Sequence, residues 1–66
     1  MITREQVENL QVGDVVPNMF GKPQKVTKIN HKGLDVNNKL FVHFYQEFGD
    51  DAEMSAVMKE GEEKPR

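Results

Sequence analysis

The segment "KLFVHFYQEFGDD" constrains the fold most, because it holds four of the five aromatic residues of the chain. Its side chains alternate between two faces from Leu40 onward, which is the two-residue period of a β-strand. One face carries only apolar side chains, namely Leu40, Val42 and Phe44. The other carries a phenol and an imidazole, in the set Phe41, His43 and Tyr45. We therefore predict a long strand whose first face lies in the core and whose second face is half exposed.

The length of 66 residues allows one domain with a small core, since a chain of this size buries only about 60% of its unfolded surface. The chain has no cysteine, so neither a disulfide nor a thiolate is available. We expect a single domain over residues 1–59 and a disordered, charged tail over residues 60–66. The N-terminus shows no secretory signal and no segment is apolar enough to span a membrane, so we expect a cytoplasmic protein.

A short N-terminal helix is predicted over residues 3–10. Thr3 and Gln6 have the spacing of a capping box, in which each side chain bonds the backbone amide of the other. Val7 and Leu10 share one face of this helix. Eight residues are too few for a stable isolated helix, so we expect that face to dock on the rest of the domain.

Short strands follow, separated by turn residues. Val15 and Val16 begin a strand that Pro17 ends, because proline cannot donate to a ladder. In the next strand, Val26 and Ile29 would lie on opposite faces, which predicts a bulge or burial on both faces.

Turns are predicted at residues 31–33 and at Asn37-Asn38, where asparagine tolerates the positive φ of a type I′ hairpin. After Gly49, the spacing of Met54, Val57 and Met58 favours a strand followed by a helical turn. Together the elements predict a mainly β, small α+β domain: an SH3-like half-open barrel of four or five antiparallel strands with a short N-terminal helix.

The strings "VGDVV" and "GKPQKVTKI", followed by a hairpin into "FVHFY", resemble the SH3-like small barrels. In particular they resemble short bacterial proteins that begin with "VGD", place a glycine before a "V..I" strand and continue with an aromatic strand. The resemblance covers residues 11–48. It implies a binding module for peptides, proteins or nucleic acids, and the fold alone selects none of these.

Residues suited to catalysis or metal binding are few. His31 and His43 could meet across neighbouring strands with Asp35, but their spacing matches no metal motif. Ser55 is the only serine and has neither a nearby histidine nor a glycine-flanked elbow. We therefore expect no enzyme activity, no catalytic residues, no metal and no cofactor.

The second face of the aromatic strand is the candidate binding site, and three interpretations remain open. The helix could cover it, a protein could bind it, or nucleic-acid bases could stack on it with lysines holding the phosphates. The candidate phosphate contacts lie in segment 22–39 and are Lys25, Lys28, Lys32 and Lys39. The chain is nevertheless acidic, with a pI near 5.6, and this basic stretch has no arginine. We therefore favour a protein partner and keep nucleic acid as the alternative.

Met19 and Phe20, in the loop between Pro17 and Pro23, are a second apolar patch. They either contact the partner together with the aromatic face or close one end of the barrel. We expect a monomer, with self-association through an exposed strand edge as a further possibility.

Overall fold

Four antiparallel strands follow one another around a curled sheet, in the order β1-β2-β3-β4. The computed structural model describes residues 1–18 and 20–62. Its elements are helix α1 (Arg4–Glu8) and strands β1 (Val15–Pro17), β2 (Pro23–Leu34), β3 (Leu40–Glu47) and β4 (Glu53–Lys59). The predicted fold class is confirmed: the protein is a mainly β, SH3-like half-barrel with one short helix.

The core lies on the concave side of the sheet, which we call the inner face. Along β3, alternate residues from Leu40 to Gln46 are buried, and those between them are half-buried. The prediction that Leu40, Val42 and Phe44 form the core is confirmed. Around them pack three residues of the N-terminal segment and one of β2, namely Ile2, Val7, Leu10 and Val26.

Helix α1 begins as the sequence predicts and ends earlier. The Thr3 hydroxyl accepts a bond from the Gln6 amide, and the Gln6 side chain accepts from the Thr3 amide, which completes the capping box. The helix ends with Asn9 as its C-cap, so residue 10 lies outside it. Leu10 is still buried in the core, and the segment docks on the inner face as a unit.

Two irregularities in β2 explain its mixed pattern. Val26 pairs with Gln46 and Lys28 with Tyr45, so one extra residue of β2 is accommodated between them. This bulge turns both Val26 and Ile29 toward the inner face, as the first sequence interpretation predicts. A second shift lies between Ile29 and His31. The predicted turn at 31–33 is wrong, because β2 continues through these residues to Leu34.

The predicted helical turn near the C-terminus is also wrong. Residues 53–59 form β4, which pairs with β3 from Phe41↔Lys59 to Glu47↔Glu53 without a register shift. The helical spacing of the apolar residues is outweighed by this regular ladder. Met54, Ala56 and Met58 alternate toward the inner face, where they are partly buried.

The hairpin between β2 and β3 has a three-residue loop rather than the predicted two-residue one. The Asp35 amide donates to the Lys39 carbonyl, and Asn38 has a φ of 62°. The Asp35 carboxylate accepts from the amides of Asn37 and Lys39. Only the second asparagine adopts the positive φ, because the carboxylate shapes the first half of the loop.

Residues 60–62 are tied to the N-terminus, although the sequence assigns them to the tail. The Ile2 amide donates to the Glu62 carbonyl, and the Gly61 amide donates to the Ile2 carbonyl. The rest of the predicted tail, residues 63–66, lies outside the described residues. Within the part of the chain that the structure describes, no helix is both long and apolar enough to cross a membrane.

Candidate functional site

The convex side of the sheet, which we call the outer face, is built on Phe41, His43 and Tyr45. Because α1 and its flanking residues pack against the inner face, the helix does not cover this side. The residues paired with the three aromatic positions are Gly33, His31 and Lys28 on β2 and Lys59, Val57 and Ser55 on β4. The outer face thus spans three strands with β3 at its centre.

Four rings on the outer face form two tilted pairs. The rings of His43 and Tyr45 lie 5.4 Å apart at an interplanar angle of 60°, and those of His31 and Phe41 lie 5.7 Å apart at 52°. Such edge-to-face contacts are the preferred geometry of aromatic pairs. Nδ2 of Asn30 lies 2.8 Å from Nδ1 of His43 and orients that imidazole. The rings support one another: those of Phe41, His43 and Tyr45 are half exposed, and that of His31 is exposed.

Gly33 lies between the rings of His31 and Phe41. A Cβ atom at Gly33 would lie 3.3 Å from Nε2 of His31 and 3.7 Å from Cζ of Phe41. A side chain at Gly33 would therefore touch the Phe41 ring at ordinary van der Waals distance, whereas the His31 ring would have to shift by a few tenths of an ångström. The sequence suggests a turn at this glycine, whereas the structure places it within β2, paired with Phe41.

Two of the four predicted lysines lie on the outer face. The Lys28 ammonium is 5.8 Å from the centre of the Tyr45 ring, within the range of a cation–π contact. Lys25 is on the same face, because it precedes the buried Val26 in β2. Lys32 lies on the helix side, where its Nζ donates to the Glu8 carbonyl, and Lys39 follows the β2–β3 loop. The structure therefore does not bring the four lysines together.

The end of the outer face near the β3–β4 turn is acidic. Glu47 and Glu53 are directly opposite each other on β3 and β4. The Thr27 hydroxyl donates to the Glu53 carboxylate. Asp50 and Asp51 lie in the adjoining turn. The outer face therefore has a cationic side along β2 and an acidic end at the turn.

Two ion pairs lie at the opposite end of the sheet: one joins helix α1 to the residue after β4, and the other joins β4 to the β2–β3 loop. Nε of Arg4 lies 2.8 Å from Oε1 of Glu60, and Nζ of Lys59 lies 2.5 Å from Oδ2 of Asp35. The hydrogen bond from Arg4 lowers the pKa of Glu60. The hydrogen bond from Lys59, followed by that from the Lys39 amide, lowers the pKa of Asp35. Both carboxylates are engaged within the fold, so this end carries little free charge.

Phe20 is separate from the three aromatic residues of β3. Its ring stacks on that of Phe48, 6.4 Å away at an interplanar angle of 28°. Phe20 is 65% exposed, so it forms an exposed pair with Phe48 rather than a buried plug. Met19 lies outside the described residues.

A groove of about 610 Å³ separates β1 from β4 on the inner side. Its walls come from Val15 to Pro17 and from Met54 to Met58, and Phe44 contributes to its floor. The groove marks the gap where the half-barrel does not close. The sequence does not indicate it, because strand order and curvature bring these segments together.

The two histidines are opposite each other across β2 and β3, as considered from the sequence. Asp35 does not join them, since it bonds Lys59 and the amides of its own loop. Over residues 1–18 and 20–62, no group of three or more histidine, aspartate or glutamate side chains could hold a metal ion. The sequence pattern does not indicate that His31 belongs to the aromatic outer face, because His31 lies on a different strand from Phe41, His43 and Tyr45.

The fold and its outer face define a small half-barrel with an uncovered aromatic surface. Comparison with protein-family models, with curated proteins and with solved structures finds no match.

Proposed function

We propose that the protein is a non-enzymatic interaction module that binds another protein through its outer face. The observation that supports this most is that Phe41, His43 and Tyr45 stay half exposed while the helix packs on the other side. A half-exposed aromatic strip rimmed by charge has the composition of protein-binding surfaces. Aromatic residues supply much of the affinity at such surfaces.

The charges around the strip favour a particular kind of partner segment. Lys25 and Lys28 lie along β2, and Glu47 and Glu53 lie at the turn end. An apolar or aromatic side chain would pack on the strip beside Val57, which is 57% exposed. A carboxylate toward β2 and a basic group toward the turn would then complement the protein.

Nucleic acid is the second candidate, and the two outer-face lysines are its support. Base stacking needs a free ring face. One face of Tyr45 is occupied by the Lys28 ammonium, and the remaining rings are tilted against one another. Two glutamates at the turn end would also repel phosphates. These features support our choice of a protein partner over nucleic acid.

Peptide selection tests the first candidate. Peptides selected from a random library on the immobilised protein are expected to carry an apolar or aromatic residue next to an acidic one. Tyr45→Ala is expected to weaken their binding at least about tenfold, as measured by fluorescence anisotropy, because central aromatic contacts dominate small interfaces. Circular dichroism checks that the variant is folded.

Two control variants locate the binding site. Val36→Ala removes a fully exposed side chain in the β2–β3 loop and is expected to leave the affinity unchanged. Phe20→Ala tests the separate Phe20–Phe48 pair. Selected peptides that bind Tyr45→Ala as tightly as the wild type would contradict an outer-face site.

A lysine comparison tests the nucleic-acid candidate. If it is correct, labelled oligonucleotides bind at low salt, and Lys25→Ala with Lys28→Ala lowers the affinity and reduces its salt dependence. The matched control is Lys32→Ala with Lys39→Ala, which removes the same charge away from the outer face. An equal effect of the two double variants would indicate non-specific attraction to total charge and exclude an outer-face platform.

A further inference from the structure

Strand β4 is the last strand of the sheet, and its far side has no strand beside it in the described part of the chain. Its register with β3 is regular over seven residues, with neither a bulge nor a proline. Proteins usually protect such edges with proline, bulges or central charges, because a bare edge pairs with other strands. Here the two charged residues, Glu53 and Lys59, are at the ends of the strand.

The hydrogen bonds to β3 identify which backbone groups of β4 are free to pair. The Glu60 amide donates to the Leu40 carbonyl, and the Phe48 amide donates to the Ala52 carbonyl. In an antiparallel ladder, hydrogen-bonded pairs alternate with non-bonded ones. Even-numbered residues of β4 therefore bond β3. The residues that direct their amides and carbonyls to the far side are Glu53, Ser55, Val57 and Lys59. Of these groups, the Lys59 carbonyl also accepts from the Glu62 amide, at 3.3 Å.

The same edge already accepts a strand-like segment just beyond β4. The Gly61 amide donates to the Ile2 carbonyl, and the Ile2 amide donates to the Glu62 carbonyl. Ile2 therefore occupies the position after Lys59. The part of the edge that can receive another strand is limited to residues 53–59.

We infer that β4 pairs antiparallel with β4 of a second copy of the chain, with the two-fold axis beside Ala56. This register uses all seven residues and places the free backbone groups of one strand opposite those of the other. Across the axis, each residue meets its counterpart in reverse order. The resulting pairs are Glu53 with Lys59, Met54 with Met58, Ser55 with Val57, and Ala56 with itself.

Charge complementarity is what favours a second copy as the partner. An antiparallel self-pairing places Glu53 opposite Lys59 at both ends of the interface, so two pairs of opposite charge face each other by symmetry. Within one chain the Lys59 ammonium already bonds Asp35 and the Glu53 carboxylate already accepts from the Thr27 hydroxyl, so each charge gains its cross-axis neighbour as a second partner. In the single chain, Glu53 lies opposite Glu47, and the two carboxylates repel each other. Lys59 of the second copy would offset this repulsion. Ala56 falls at a non-bonded pair, where Cα atoms approach to about 4.5 Å and a small residue fits.

Neighbouring registers are less favourable. Centring the axis on Val57 would place Glu53 opposite Gly61, whose amide already bonds Ile2. Centring it on Ser55 would place Glu53 opposite Val57 and leave Lys59 opposite the β3–β4 turn. The register centred on Ala56 alone pairs both charges and avoids Ile2.

Charge reversal at Glu53 and Lys59 tests the inferred dimer. The inferred dimer does not depend on the proposal that the outer face binds a protein. The wild type is expected to form a dimer as its concentration rises in sedimentation velocity. In the dimer, Glu53→Lys would place a lysine at position 53 opposite Lys59 of the other copy. Lys59→Glu would likewise place a glutamate at position 59 opposite Glu53 of the other copy. Each single variant is expected to weaken dimerisation about tenfold or more. The double variant, with both charges exchanged, is expected to regain it.

A mixture of the two single variants provides the matched control. Glu53→Lys and Lys59→Glu, each impaired alone, are expected to associate with each other, because every cross-strand pair is then of opposite charge. Val57→Pro is expected to abolish dimerisation and keep the fold, since the Val57 amide points away from β3. A wild type that stays monomeric at millimolar concentration would overturn the inference, as would a mixture that fails to associate. The edge would then be free for a strand of a different protein.

Discussion

Phe44→Ala is expected to remove about 3–5 kcal/mol from the free energy of unfolding, whereas Tyr45→Ala is expected to cost only about 1 kcal/mol. Phe44 is 2% exposed and packs in the core, while Tyr45 is half-buried on the outer face. Truncating a buried phenylalanine typically costs about 3–5 kcal/mol, through lost apolar burial and the cavity left behind. A domain of this size has a free energy of unfolding of roughly 3–10 kcal/mol, so the loss at Phe44 removes much of it.

Urea unfolding followed by circular dichroism measures both variants under the same conditions. Phe44→Leu is the control, because it keeps an apolar side chain and should lose less than Phe44→Ala. Equal destabilisation by Phe44→Ala and Tyr45→Ala would show that both faces of β3 are core. The outer face could not then serve as an uncovered binding surface.

Gln46→Glu is the second substitution with a large expected effect. Gln46 is fully buried, and its Nε2 donates to the carbonyls of Val16 and Gln24, at 2.9 and 3.3 Å. Glutamate has the same shape but would direct a negative oxygen at two carbonyl oxygens. A buried charge without a partner costs several kcal/mol, so we expect a loss of about 3–5 kcal/mol at neutral pH.

The loss should shrink on acidification. Burial raises the pKa of a carboxyl group at this position above that of the unfolded chain. The folded variant then binds more protons than the unfolded one as the pH falls toward the unfolded pKa, so acid favours folding. Urea unfolding at pH 7 and pH 5 measures this difference. Gln46→Met is the control, since it keeps the volume without charge and should show no such recovery.

The burial of Gln46 is not indicated by the sequence pattern. A polar residue after an apolar run suggests the end of the core. Within the described residues, Oε1 of Gln46 has no hydrogen-bond partner, while Nε2 connects β3 to β1 and β2. The amide thus helps to hold the three-residue strand β1 in place. This role depends on where β1 lies in space, which local sequence patterns do not encode.

Local chemistry explains the predictions that are confirmed. The capping box of Thr3 and Gln6, the alternation along β3 and the bulge near Val26 each depend on residues close together in the sequence. The misplaced elements depend on distant pairing. β2 continues through Gly33 because this residue pairs with Phe41 of β3, and β4 is a strand because β3 lies beside it. Tertiary contacts outweigh weak local propensity in both cases.

The sequence by itself determined that β3 has two unlike faces, one wholly apolar and one carrying Phe41, His43 and Tyr45. It did not determine which of them the N-terminal helix covers, since both offer apolar side chains to Val7 and Leu10. The tertiary structure decided this through the bulge of β2, which turns Val26 and Ile29 to the same side as Phe44. That side thereby gains the larger continuous apolar area, and burying it against the helix removes more apolar surface from water. The aromatic outer face is left uncovered as a consequence.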